Sequence, residues 1–302
     1  MPVDDFLKVL MSVAQKYNPH DVFVTVSGGE PLMRLDLEEC GRRIYKLGFP
    51  WGVVTNALHL TPARLEKLVD AGMHSMAVSL DGLEDDHNWM RGNPSSFKMV
   101  EQAIRLLSQQ SLVVWDVVTC VNERNFSSLP QMRDWLIAHG TKMWRIIDIF
   151  PAGRAAGDSL MLISDRHYRQ MLDFIRDTQK QYPQISVNYG CAGFVGEYEF
   201  DVRETAFQCH AGVSVAGVMA NGDIAACTSI RSGYAQGNIY HDDFMEVWEN
   251  KFQQFRNHDW MKTGPCADCN MWRYCRGNGI HLRDGEGKLL QCHLQKLVDG
   301  QN

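Results

Sequence analysis

Apolar residues recur along the first 180 positions in two alternating rhythms. Phe6, Val9, Leu10 and Val13 fall three and four apart within residues 4–17, the spacing of a helix with one buried face. Residues 22–26 then form a short β-rich run that ends at Ser27-Gly28-Gly29. The alternation continues with helices at 37–47, 62–71, 97–107, 129–138 and 165–181, and strands at 52–55, 75–80, 112–119 and 143–150. Largely apolar strands separated by amphipathic helices predict an α/β fold with a parallel sheet covered by helices. Five strands are legible, and the chain opens on a helix with no strand before it.

Beyond Tyr182 glycine and cysteine become dense, and helical spacing survives mainly at residues 244–255. Residues 213–219 and 224–227, joined by Asn221-Gly222, predict a β-hairpin with a primed turn. Residues 257–290 are too irregular to bury much core unaided, and small irregular domains of this kind need a staple. The expected division is therefore 1–182 and 183–302.

Composition narrows the picture. Hydrophobic residues make up 45% of the 302, enough for a packed core and too many for a disordered chain. A formal charge of −6 gives no reason to expect nucleic acid or anionic lipid as a partner. With no membrane-length apolar run and no secretory start, the expectation is a cytoplasmic protein. Seven of the nine cysteines lie between Cys191 and Cys292, and such clustering without an export signal points to metal rather than disulfides.

Ligands of parallel βα folds bind beyond the carboxyl ends of the strands. Four polar signatures sit at such ends: Ser27-Gly28-Gly29-Glu30-Pro31, Thr55-Asn56, Ser79-Leu80-Asp81-Gly82, and the run from Asp148 to Arg154. Any one of them alone reads as a turn. In order, together with His87-Asn88-Trp89-Met90-Arg91 and Pro151-Ala152-Gly153-Arg154-Ala155, they resemble the peptide- and protein-modifying branch of the radical S-adenosylmethionine (SAM) enzymes. The resemblance implies a partial (β/α)6 barrel. It also implies SAM bound by Gly28, Gly29, Glu30, Pro31, Asn56, Ser79 and Arg91, with the glycine–glutamate turn taking the amino group.

Members of that family hold a SAM-cleaving [4Fe–4S] cluster on an N-terminal Cys-x3-Cys-x2-Cys, which yields a 5′-deoxyadenosyl radical. The first cysteine here is Cys40, beyond the glycine turn, so the expectation is a chain lacking the first βα unit and inactive alone in SAM cleavage. Downstream, Cys209-x12-Gly222-x4-Cys227 and Cys266-x2-Cys269-x5-Cys275, followed by Cys292, are similar to the SPASM domain. The resemblance implies one auxiliary [4Fe–4S] cluster on Cys266, Cys269, Cys275 and Cys292. A second would use Cys209 and Cys227, with Cys191 as its upstream ligand. The family's fourth loop cysteine is Gly279 here, leaving His210, His281 or an open iron to complete that cluster.

Zinc remains the alternative occupant of four cysteines in a loop-rich domain. Cys40 and Cys120 are expected to be structural thiols. Thr228 stands where sulfatase-maturating members carry a catalytic Asp, which argues against that activity. The resemblance implies a peptide or protein substrate and an electron donor such as flavodoxin or ferredoxin. Its rivals are an inactive SAM-binding remnant and a zinc-stabilised peptide-binding protein. Asp116, Arg145 and Asp148 interrupt strands expected to be buried on both faces, so an Asp116–Arg145 ion pair is anticipated, the alternative being that one of them faces a substrate in the barrel mouth.

Overall fold

The computed structural model describes residues 1–230 and 233–300. Its main sheet has six parallel strands in sequential order: β1 (Val24–Val26), β2 (Trp51–Thr55), β3 (Met73–Ser79), β4 (Val114–Val121), β5 (Met143–Asp148) and β6 (Ser186–Tyr189). The helices are α1 (Val3–Ala14), α2 (Leu37–Lys46), α3 (Pro62–Asp70), α4 (Glu84–Arg91), α5 (Ser96–Ser108), α6 (Leu129–Ala138) and α7 (Asp165–Gln181). Sequential parallel pairing requires each connection to cross one face, which is where a helix belongs.

Local signals place these elements. Thr61 caps α3 by accepting the Arg64 N–H at 3.2 Å, with Pro62 at the first helical position. Helix α2 lies close to β2 because Gly41 offers no Cβ: one placed there would stand 1.9 Å from the Trp51 ring. Trp51 is fully buried and donates its indole N–H to the Ala71 carbonyl at 3.1 Å.

The chain divides into two units, one of residues 13–149 and 173–190, the other of 1–12, 150–172 and 191–302. The sequence boundary at Tyr182 therefore falls short. Strand β6 lies beyond it, pairing Trp144 with Val187 and Ile146 with Tyr189. Four residues are too few for periodicity to announce a strand; its register against β5 defines it. Helix α4 also escaped the apolar spacing, since only His87 in it is buried.

The assumption of strands buried on both faces fails as well. Val114 is 64% exposed, and the Arg145 side chain is 47% exposed while paired with Asp116 at 2.6 Å. The anticipated ion pair forms, but on an open face. Asp148 is the buried member, accepting the Tyr189 hydroxyl at 2.6 Å.

The other unit is built around short pieces: α8 (Glu199–Val202), β7 (Gly217–Val218), β8 (Asp223–Ala225), β9 (Gly237–Asn238), α9 (Phe244–Asn250), α10 (Gln253–Arg256), α11 (Trp272–Cys275) and α12 (His293–Asp299). The hairpin β7–β8 is present, but shorter than expected and without a primed turn. The Gly222 N–H returns to the Met219 carbonyl at 2.8 Å, and of the two predicted turn residues only Gly222 has positive φ, +91°. This is a tight turn closed by a left-handed glycine. Strand β9 extends the hairpin to three strands. The core here is Phe252, Phe255, Val247, Ile224, Met261 and Ile280. Among the described residues, no helix is long and apolar enough to cross a membrane.

Candidate functional site

Because β1, β2 and β3 are parallel and adjacent, the turns that follow them open at one edge of the sheet. Glu30 is the most constrained side chain there. Its Oε1 accepts the Leu32 N–H at 3.0 Å and the Thr55 hydroxyl at 2.5 Å, and its Oε2 accepts the Asn56 N–H at 2.7 Å. Thr55 is fully buried and its Oγ1 also accepts the Ala57 N–H at 2.9 Å. The carboxylate is thus held in one orientation, with lone pairs to spare for an incoming ammonium. Pro31 starts a 3₁₀ turn, Pro31–Met33, directly behind it. Gly28 and Gly29, at φ +79° and +59°, have no other atom within 4 Å of where a Cβ would stand, so the turn leaves open space for a ligand.

The second group lies between β3 and α4. Ser79 ends β3 half-buried. Two residues on, Asp81 is fully buried; one oxygen accepts the Cys120 N–H at 2.9 Å and the other meets Arg91 Nη2 at 2.7 Å. Arg91 Nε is buried without a hydrogen-bond partner, an unmet donor where an acceptor is wanted. His87 accepts the Asp81 N–H at Nδ1 (3.0 Å) and bonds Ser96 Oγ through Nε2 (2.9 Å). Burial, then the neighbouring Arg91 charge, pushes its pKa down to about 3. The sequence reading missed the roles of Thr55 and Asp81, although both lie inside the quoted motifs.

Four of the nine cysteines come together. Cys266, Cys269, Cys275 and Cys292 line one small cavity together with Trp272, Asn278 and Leu294. Burial, and then the charges of Cys292 and Cys266, push the Cys275 thiol up to about 12; burial followed by Cys266 and Cys269 also raises Cys292. Four thiols so close cannot ionise together unless a cationic core sits among them. Arg283, which no spacing signal singled out, reaches Cys266 Sγ at 3.5 Å while donating to the Gly287, Met261 and Gly277 carbonyls.

Cys209 is buried and its thiol is raised by burial, with Cys227 adding to the effect and the N–H groups of Ile280 and Ala211 opposing it. Cys191 is exposed. Among the described residues no three His, Cys, Asp or Glu side chains form a site for one metal ion. Cys266, Cys269, Cys275 and Cys292 share one cavity, and four thiolates are the donor set that a [4Fe–4S] cluster takes. Cys40 is buried in α2, and the Cys120 thiol is pushed up to about 12 by burial and then by Asp81, as inert thiols would be.

Comparison with known proteins agrees with this layout. Residues 1–136 match the radical SAM superfamily and residues 209–270 match an iron–sulfur cluster-binding domain, SPASM. The chain carries a radical SAM domain followed by a SPASM domain. An AdoMet-dependent heme synthase of Methanosarcina barkeri is 28% identical over 273 residues, 83% of this chain and 75% of that protein. The mycofactocin maturase MftC of Mycolicibacterium smegmatis is 27% identical over 292 residues, 92% of this chain and 71% of that protein. Among solved structures, anSMEcpe with bound AdoMet and a Cp18Cys peptide superposes with a TM-score of 0.72 at 20% identity, covering 99% of this chain and 85% of that one. These two domains give the chain the fold and the enzyme class of such relatives, with SAM and [4Fe–4S] clusters as cofactors.

Proposed function

We propose that Glu30 binds the amino group of SAM, that Gly28, Gly29, Pro31 and Asn56 line its methionine part, and that Ser79 and Arg91 take further SAM contacts. The observation that carries this is the Glu30 carboxylate, held by three donors from two strand ends beside two glycines that face open space. Bound beside a reduced iron–sulfur cluster, SAM would supply radical chemistry at the substrate. This chain's own part is to orient SAM and to hold the auxiliary clusters. Cys266, Cys269, Cys275 and Cys292 would hold one, and Cys191, Cys209 and Cys227 a second.

A peptide or protein is the proposed substrate, supported by the peptide bound in anSMEcpe, and flavodoxin or ferredoxin in the cytoplasm the proposed electron donor. A tetrapyrrole is the second reading, favoured by the heme synthase relative. Titration of the reconstituted protein with haem separates the two: saturable one-to-one binding with a Soret shift favours the tetrapyrrole, and no shift favours the peptide. For the SAM site, calorimetry on the reconstituted protein should show Glu30→Gln weakening SAM binding about tenfold, because a charge-assisted bond becomes a neutral one at about 1.4 kcal/mol. Equal affinity in both would refute the assignment. Reconstitution should give broad iron–sulfur absorption near ~400 nm that is reduced in Cys269→Ala; stoichiometric zinc without iron would refute the cluster.

A further inference from the structure

We propose that Arg283 sets the reduction potential of the cluster on Cys266, Cys269, Cys275 and Cys292, acting through Cys266 and holding the potential higher than four thiolates alone would. The inference rests on the reading that these four cysteines bind a [4Fe–4S] cluster.

Arg283 is only 6% exposed, and a guanidinium keeps its charge when buried, so it must find acceptors. Its Nη1 donates to the Gly287 carbonyl at 2.8 Å. Its Nη2 lies among three acceptors: the Met261 carbonyl at 3.1 Å, the Gly277 carbonyl at 3.2 Å and Cys266 Sγ at 3.5 Å. Among the described residues none of these hydrogen-bond partners is a carboxylate, and the buried Nε has no hydrogen-bond partner at all. The charge is thus met by carbonyl dipoles and by one sulfur, and that sulfur becomes an anion when it ligates iron.

The head group is fixed from several sides. Met261 precedes the loop that carries Cys266, Cys269 and Cys275, and Gly277 follows it, so Nη2 ties the two ends of that loop together. A Cβ at Gly277 would stand 3.3 Å from Nη2, and the guanidinium carbon lies 5.8 Å from the centre of the Trp260 ring. At the root of the side chain, the Arg283 N–H returns to the Ile280 carbonyl at 3.0 Å. A lysine would bring the charge but not a planar fork that meets carbonyls and sulfur at once. One-electron reduction adds negative charge to a cluster and its thiolates. A donor N–H and a fixed positive charge at one sulfur therefore stabilise the reduced form more than the oxidised form, which raises the potential.

The test is a mediated redox titration of the full chain, reconstituted anaerobically with iron and sulfide. It follows the EPR signal of the reduced cluster that Cys269→Ala abolishes. Arg283→Met should keep its iron and lower the potential enough to change the reduced-to-oxidised ratio at least tenfold at a fixed potential, about 59 mV for one electron. Arg283→Lys, with the charge but not the fork, should fall between. After growth on 15N-arginine, pulsed EPR should show a 15N coupling on the same wild-type signal, carried by the N–H···S contact and absent in Arg283→Lys. An unchanged potential in iron-loaded Arg283→Met would overturn the inference and leave the cluster standing. Where the variants lose their iron the label decides, a wild-type coupling upholding the contact and its absence overturning it. A wild type with no cluster signal that depends on Cys269 would overturn the reading of the cluster, and the inference with it.

Discussion

Protonation of His87 should destabilise the sheet region in mild acid, by an amount that the structure sets. Its Nδ1 accepts the backbone N–H of Asp81, so the neutral ring carries its proton on Nε2 and donates to Ser96 Oγ. An imidazolium would oppose one N–H to another in a fully buried position beside the Arg91 guanidinium, with only Asp81, already paired to Arg91, as a nearby anion. Its folded pKa of about 3 lies below the ordinary imidazole value of 6.5. Below pH 6.5 the unfolded chain therefore takes up a proton that the folded chain refuses. The stability is complete above that pH and is lost as pH falls toward 3. Linkage gives a loss of about 2 kcal/mol between pH 8 and pH 5.

His87→Gln keeps an acceptor for the Asp81 N–H and cannot titrate, so the difference between wild type and variant isolates this group from every other carboxylate and histidine. The assay is urea unfolding at pH 8, 6 and 5, with hydrogen exchange of peptides from β3 and β4 as the readout for this region alone. The advantage of the wild type over the variant should shrink by about 2 kcal/mol from pH 8 to pH 5. A gap that stays constant across that range would show that the folded protein accepts the proton, and the assigned tautomer would be wrong.

Two further substitutions probe the same framework. Thr55→Val removes the hydroxyl bonded to Glu30 and leaves the buried Ala57 N–H without its acceptor, so urea unfolding should show a loss of about 2–4 kcal/mol; a change under half of the lower figure would show that the bond is not formed. Gly41→Ala drives a methyl into the Trp51 ring, and its thermal midpoint should fall by an amount equivalent to about 2–3 kcal/mol, with a red-shifted tryptophan emission if the indole leaves its pocket.

Strand–helix order, the polar turns at strand ends and the cysteine spacings were legible in the linear chain. Each depends on residues only a few positions apart: an apolar rhythm, a glycine pair after a strand, Cys-x2-Cys-x5-Cys. Strand β6 was not legible, because Val187 and Tyr189 acquire their meaning from pairing with Trp144 and Ile146, some forty residues earlier. Nor was the allocation of residues 1–12, an ordinary amphipathic helix by pattern, to the unit that carries seven of the nine cysteines. The same holds for function. Glu30 announces itself by its motif, but its orientation comes from Thr55 and Asn56 on the next strand. Arg91 can be picked by spacing, whereas its buried partner Asp81 shows only once α4 folds back beside β3. The exposure of Arg145 also contradicts what an apolar strand implied, since burial belongs to what covers a face and not to the strand itself. Short-range geometry is written in the residues that make it; charge pairing, burial and ligand completion depend on distances that close only when the chain has folded.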